Sequence, residues 1–182
     1  MALERSAIAP KSLVYALSVK GAHMTLYKVF AGSISALLIM VYAGGANYWN
    51  KDYGWYQSLN RPSWQPPGYV IGTIWPYNFI VIGVALYVIV TQARWQVSAI
   101  TILIFATSVF FALRWSYFFY SVHDFKSAAT SLLVTAILTL PLLVVTFSFS
   151  WKVGIALLPY QVWIFTVAAL AYSYADLNKS LS

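Results

Sequence analysis

The chain has 182 residues, 61% of them hydrophobic and only 8% charged, where about a quarter would be charged in an ordinary soluble domain. So few charges cannot solvate a conventional surface, so the outer face has to meet lipid and the chain reads as an all-α, single-domain polytopic membrane protein. The net charge of +7 comes from basic residues lying between apolar runs, which suits membrane topology and not nucleic acid, and without cysteine no disulfide, zinc or iron–sulfur site can be proposed.

Taken in order, residues 1–28 form a basic lead-in carrying Glu4, Arg5, Lys11, Lys20 and Lys28. Its apolar centre, Leu13 to Val19, is too short to span and no small-residue cleavage site follows it, so it is expected to be interfacial or disordered. A transmembrane domain is expected over 29–178, a bundle of five helices with spans at about 29–49, 67–91, 97–120, 127–150 and 153–175, before a polar tail at 179–182. Five spans put the termini on opposite sides. The positive-inside rule favours an inner N-terminus with the first loop outside, although the balance reverses without the N-terminal segment.

The first loop carries Lys51, Asp52, Trp55, Tyr56 and Arg61, then three prolines in six residues, Pro62, Pro66 and Pro67. Each proline fixes φ and removes a donor, so the loop is stiff and extended, and Pro67 is suited to open the second span. Trp55, Trp64 and Trp75 follow the chain into that span, as amphipathic rings do at a membrane surface. In the second span Gly68 and Gly72 make a G-x-x-x-G, Gly32 and Ala36 make a similar small face in the first, and Pro76 is a candidate kink. Those small faces suit either a homodimer or packing within one bundle. Arg114, the formal charge of the third span, is expected to snorkel from near the helix end. In the fourth span Ser131, Thr135 and Thr139 form a polar stripe expected to face protein, and Pro141 should bend the helix.

No Asp, Glu, His or Lys falls inside an expected span, which argues against proton relays and ion-coupled carriage. His23 and His123 lie outside the spans, so an axially ligated haem buried in the bundle is not expected, and no intrinsic cofactor or metal site is proposed. Helical spacing groups Trp75 with Phe79, Phe111 with Trp115, and Tyr160 with Trp163 and Val167. Such rings serve as packing more often than as a ligand site; Gly83 and Ala171, small residues opposite them, are equally ambiguous.

The run Trp55-Tyr56-Gln-Ser-Leu-Asn-Arg61-Pro62-Ser-Trp64-Gln-Pro66-Pro67-Gly68, with Gly72-Thr-Ile-Trp75, Trp115-Ser116-Tyr-Phe118-Phe119 and Leu158-Pro159-Tyr160-Gln-Val-Trp163, resembles the tryptophan-rich sensory protein and translocator protein family, TspO/MBR. The likeness covers about residues 29–178 and leaves the lead-in outside it. It implies a five-helix membrane protein, usually dimeric, that binds tetrapyrroles such as protoporphyrin and haem. Animal relatives also bind cholesterol and benzodiazepine-type ligands, and some bacterial members degrade protoporphyrin in light with the help of two pocket tryptophans.

Carried onto this chain, the resemblance makes Trp75 and Trp163 the two pocket tryptophans, catalytic if the chain degrades porphyrin. Trp55, Tyr56, Pro66 and Pro67 would form the lid, and Phe79, Trp115 and Ser116 further ligand-binding walls; Val167, one turn from Trp163, is added as a ligand-binding candidate by its spacing. The chain departs from the family at Ala112 and Ala171, where asparagines are common, at Ser131 in place of an aspartate, and at Thr73 in place of a proline. These changes remove polar handles and keep the aromatic frame. A loose sterol pattern, Leu170, Tyr174 and Lys179, is also present. The expected function is therefore a membrane receptor or carrier for tetrapyrroles, and the alternative an enzyme of light-dependent porphyrin breakdown. Both need Trp75 and Trp163 to face a common space.

Overall fold

In the computed structural model, residues 11–45, 48–51 and 53–179 are described, with the backbone alone for 11–18, 20 and 53. Glu4, Arg5, Asp52 and residues 180–182 lie outside the described residues. The elements are α1 (Lys11–Gly45), α2 (Tyr53–Ser58), α3 (Gly68–Gln92), α4 (Trp95–Tyr117), a π-helical turn (Phe118–Val122), α5 (Phe125–Leu138), α6 (Leu140–Phe149) and α7 (Trp151–Leu177). Five stretches are long and apolar enough to cross a membrane: Gly21–Gly45, Gly68–Gln92, Trp95–Val122, Phe125–Phe149 and Trp151–Leu177. Five spans of this length and hydropathy fit an integral membrane protein.

Four of these stretches start and end within two residues of the expected spans; the first does not. α1 runs unbroken from Lys11, and its apolar stretch opens at Gly21 instead of near Val29. The lead-in from residue 11 onward is helical, and His23 and Lys28, expected outside the spans, fall inside the first one. Lys28 is accommodated because its Nζ donates to the Thr91 carbonyl at 2.9 Å, one of the unpaired carbonyls at the C-terminal end of α3.

The bundle buries α3, α4, α5 and α7 on one another around Ile82, Leu86, Phe105, Leu132, Leu157 and Ile164. α1 packs against α3 and α4. Pro76 and Pro159 lie within α3 and α7, whose helical runs continue through them. Pro141 does interrupt the fourth span, which divides at Thr139 into α5 and α6. The expected polar stripe is fully inside: Ser131, Thr135 and Thr139 are buried, each hydroxyl donating to a carbonyl three or four residues back. Gln161 on α7 joins them, accepting from the Thr139 hydroxyl at 3.1 Å and donating to the Ala136 carbonyl at 2.9 Å, freed where the helix breaks. At Gly154 α7 comes so close to α6 that an added Cβ would stand 2.5 Å from the Phe147 ring.

Arg114 has two partners that the residue pattern did not indicate. It is held more specifically than by snorkelling alone: its Nη1 donates to Ser131 Oγ at 2.9 Å and its guanidinium lies 4.6 Å from the centre of the Phe118 ring, one turn nearer the helix end, tying α4 to α5. The end of α4 then widens into the π turn, which closes at His123 with φ 63°, the left-handed region a non-glycine residue rarely occupies. Asp124 caps α5 next to it, accepting from the Ser127 backbone N–H at 2.9 Å.

The cap has a pH signature. Hydrogen bonds from the Ser127 side chain and then its backbone N–H hold the Asp124 carboxyl below the usual value of 3.8, with the Lys126 N–H and Arg114 adding to the effect. A lowered carboxyl stabilises the fold above the unfolded value and loses that contribution as pH falls through the folded one. Asp124→Ala should therefore cost about 1 kcal/mol at pH 6. The gap in thermal midpoint between the two proteins should close on acidification below about pH 4, measured by thermal scans in detergent.

Candidate functional site

The site is built where the first loop, the π turn and the end of α7 meet, all at one end of the bundle. Reciprocal amide bonds hold the loop down: the Asn60 N–H donates to Asn178 Oδ1 at 2.9 Å, and Asn178 Nδ2 donates to the Asn60 carbonyl at 3.0 Å. The fully buried Asn178 side chain also donates to the Tyr174 carbonyl at 3.0 Å. One side chain thus serves the loop's backbone and the last turn of α7.

Above this pin, α2 is fixed by rings. Trp55 stacks on His123 with centres 3.9 Å apart, lies parallel to Phe125 at 6.0 Å and meets Phe119 edge-on at 5.8 Å. The left-handed His123 therefore carries the imidazole that the lid tryptophan covers. Tyr56 turns inward, within 3.4 Å of the Tyr174 hydroxyl, and Gln65 is bonded to Tyr174 from the other side. Pro67 is the N-cap of α3, its carbonyl accepting from the Val70 and Ile71 N–H groups.

Beneath the lid is a cavity of about 100 Å³. Trp75 from α3, Trp115 from α4 and Trp163 with Val167 from α7 line it, and Tyr56 closes it from above. A second chamber, of about 460 Å³, lies on the other side of Trp75 and includes Phe79, Gly72 and Asn50. The two share Ile71, Trp75, Trp115 and Tyr120 as a common wall. Tyr42 of α1 supports that wall edge-on, at 6.0 Å from Trp75 and 5.4 Å from Phe79. The indole Nε1 atoms of Trp115 and Trp163 are buried and have no hydrogen-bond partner among the described residues.

The structure sorts the expected site residues into two groups. Tyr56, Trp75, Trp115, Trp163 and Val167 converge on the inner cavity, and Phe79 on the outer chamber. Trp55, Pro66, Pro67 and Ser116 line neither: Trp55 is spent on the π turn, Pro67 on starting α3, Pro66 is half-buried in the loop and Ser116 is buried in the bundle. Phe111 packs edge-on against Phe110, and Tyr160 is buried in the main core. Ala171 does line the inner cavity, whereas Gly83 borders a groove elsewhere on the molecule.

The expectations left out Ile71, Phe119, Tyr120, Leu132, Leu170 and Tyr174 as cavity walls. For α7 the signal was present, since Trp163, Val167, Leu170, Ala171 and Tyr174 follow one helical stripe. For Phe119 and Tyr120 the widened turn decides the direction, and no residue pattern marks it. The sterol pattern fares differently: Tyr174 is buried and Leu170 faces the cavity, so with Lys179, paired to Asp176 at 3.2 Å, they make no common lipid-facing surface.

With lid, indole wall and five spans in place, comparison with known proteins is decisive. The model of the TspO/MBR family matches residues 33–176. The chain belongs to the TspO/MBR family. It is 30% identical over 127 residues to the tryptophan-rich protein TspO of Bacillus cereus, covering 70% of this chain and 82% of that one. It is 26% identical over 155 residues to the tryptophan-rich protein TspO of Archaeoglobus fulgidus, with 85% and 99% covered. Protein CrtK of Rhodobacter capsulatus is 26% identical over 125 residues, with 68% and 78% covered. The family match opens at residue 33, twelve residues after the first apolar stretch begins, so His23 and Lys28 lie outside it.

Replacing Asn178 by Ala removes three hydrogen bonds and leaves the Asn60 backbone groups without their partners. Hydrogen exchange of residues 53–65 should accelerate by about tenfold or more, while amides in α3 and α5 hold their protection. Equal acceleration throughout the bundle would show that the pin supports the whole fold and not the lid alone.

Proposed function

We propose that the chain is a membrane receptor or carrier that takes a tetrapyrrole between the lid and the wall formed by α3, α4 and α7. The observation that carries this reading is that Trp75 and Trp163, on different helices and 88 positions apart, border one cavity together with Trp115. Flat, largely apolar macrocycles bind by offset stacking on such rings. Family membership supports the ligand class, and relatives carrying the name tryptophan-rich sensory protein support a receptor role.

Size sets the mode of entry. The inner cavity is too small for a macrocycle, while the outer chamber falls within the range of about 300–1,000 Å³ usual for small-molecule pockets. Occupation of both requires the Trp75 and Tyr120 rings, their shared wall, to swing aside. The cavity walls contain no His, Cys or Met, and Tyr56, Tyr120 and Tyr174 are the side chains there able to ligate iron; stacking on the indoles holds haem and metal-free protoporphyrin alike, and a marked preference for haem would assign the difference to a tyrosine on the iron. The acceptor groups on the ligand's edge would find the unpaired Nε1 donors of Trp115 and Trp163.

The juxtaposition of Trp75 and Trp163 also favours a second reading, light-dependent oxidative breakdown of the bound porphyrin with dioxygen as oxidant. There the macrocycle absorbs the light and gives up electrons to dioxygen, whose oxygen enters the opened ring, while the indoles lend an electron that the macrocycle returns or stabilise the macrocycle radical, and end unchanged. The dimer that the resemblance implies has room at Gly68, where a Cβ would meet nothing within 4 Å, so packing inside one bundle does not explain that glycine.

Titration with micromolar protoporphyrin should quench tryptophan fluorescence to saturation, and haem should match it within about tenfold. Trp75→Phe and Trp163→Phe keep an aromatic ring and should weaken binding by less than about tenfold. Under illumination, loss of porphyrin absorption that the two variants abolish would favour the enzyme; decay equal to free porphyrin would leave the receptor. Absence of saturable quenching in the wild type would refute both.

A further inference from the structure

We infer that the groove between α1 and α3, at the end of the bundle away from the lid, is a binding site for an anionic glycerophospholipid. It has a volume of about 470 Å³ and is bordered by Lys28, Gly32, Ala36 and Ile39 on α1 and by Gly83 and Leu86 on α3. It belongs to neither chamber of the aromatic site.

Length identifies one acyl chain. From Lys28 to Ile39 α1 rises about 16 Å, close to half of a hydrocarbon core of about 30 Å. The groove therefore begins at one interface and stops near the midplane, the reach of a chain in a single leaflet. Its floor is apolar, with Leu86 and Val90 buried beneath it. Gly32 leaves the space open: a Cβ built there meets nothing within 4 Å, and at Gly83 the nearest atom is the Ile39 Cδ1 at 3.5 Å.

Charge identifies the headgroup. Lys28 stands at the mouth, level with the end of α3 through its bond to the Thr91 carbonyl, and an ammonium has further N–H donors for a phosphate oxygen. Arg94 is exposed on the turn that follows α3, and Lys152 opens α7 at the same end. Both acidic residues that the structure describes, Asp124 and Asp176, lie at the lid end instead. Exposed Trp95 and Trp151 mark the headgroup level there. A second copy of the chain fits less well, because Tyr87, 69% exposed, stands at the rim where a helix would have to approach.

The test uses the full chain in vesicles of equal phosphatidylglycerol and phosphatidylcholine, extracted gently and analysed for retained lipid by native mass spectrometry. The wild type should retain phosphatidylglycerol several-fold over phosphatidylcholine. Lys28→Gln should bring the two to parity, and Gly32→Leu, which fills the groove, should remove both, with protoporphyrin quenching unchanged in each variant. Retention that is unselective in the wild type, or that survives either variant unaltered, overturns the proposal. Gly32→Leu that turns a dimer into a monomer while lipid retention persists overturns it too, and gives the groove to a second copy.

Discussion

The side-chain amide of Asn178 holds the two ends of the site's architecture together. An extended loop with three prolines has few backbone bonds of its own, since each proline removes a donor. Something else has to fix its height above the bundle, and Asn178 does so by treating Asn60 as a partner strand, donor to acceptor and acceptor to donor. The cost of burying that amide is met because each of its polar atoms is bonded. With the loop at that height, Trp55 can reach the π turn and Tyr56 can reach the cavity; without it neither distance is defined.

The two ends of the bundle are built on opposite principles. At the lid end, rings close over a void and the ion pair Asp176 with Lys179 stays outside it. At the other end, Lys28, Arg94 and Lys152 have no acidic partner among the described residues, and the helices part to leave an open groove. Between them the interior is sealed by hydroxyls that answer their own helix: Ser131, Thr135 and Thr146 each donate to a carbonyl four residues back. In hydrocarbon an unanswered backbone carbonyl is expensive, so the break at Thr139 is tolerated because Gln161 and the Thr139 hydroxyl both donate to the Ala136 carbonyl.

Much of this was legible in the residues. Four spans, the division near Pro141 and the inward face of Ser131, Thr135 and Thr139 follow from hydropathy and from what proline and hydroxyls do to helices. The convergence of Trp75 and Trp163 was an expectation of resemblance, because spacing on separate helices says nothing about how those helices face one another. Three features escaped for physical reasons. α1 extends into the lead-in because helix once nucleated propagates through polar residues that hydropathy counts against it. Arg114 is tied to α5 because Ser131 of that helix offers an acceptor and Phe118, one turn on, offers a ring face, partners that no local rule reveals. The π turn shifts the facing of Phe119 and Tyr120 by one extra residue, and a reading at 3.6 residues per turn does not see it.

The departures from the family pattern now acquire a structural meaning. Ala112 is buried in the core, Ala171 faces the cavity, and Ser131 answers Arg114 where an aspartate would have formed an ion pair. None of these positions offers a polar side chain to a ligand. Polarity at the cavity comes instead from Tyr56, Tyr120 and Tyr174 at its mouth and from the two unpaired indole N–H groups within. Donors so few, set in so much apolar surface, orient a ligand by shape first and by its acceptors second. If the ligand is the proposed macrocycle, discrimination between closely related ones would depend on how far Trp75 must move to admit each, and Tyr42, packed edge-on against that ring from α1, would set the resistance.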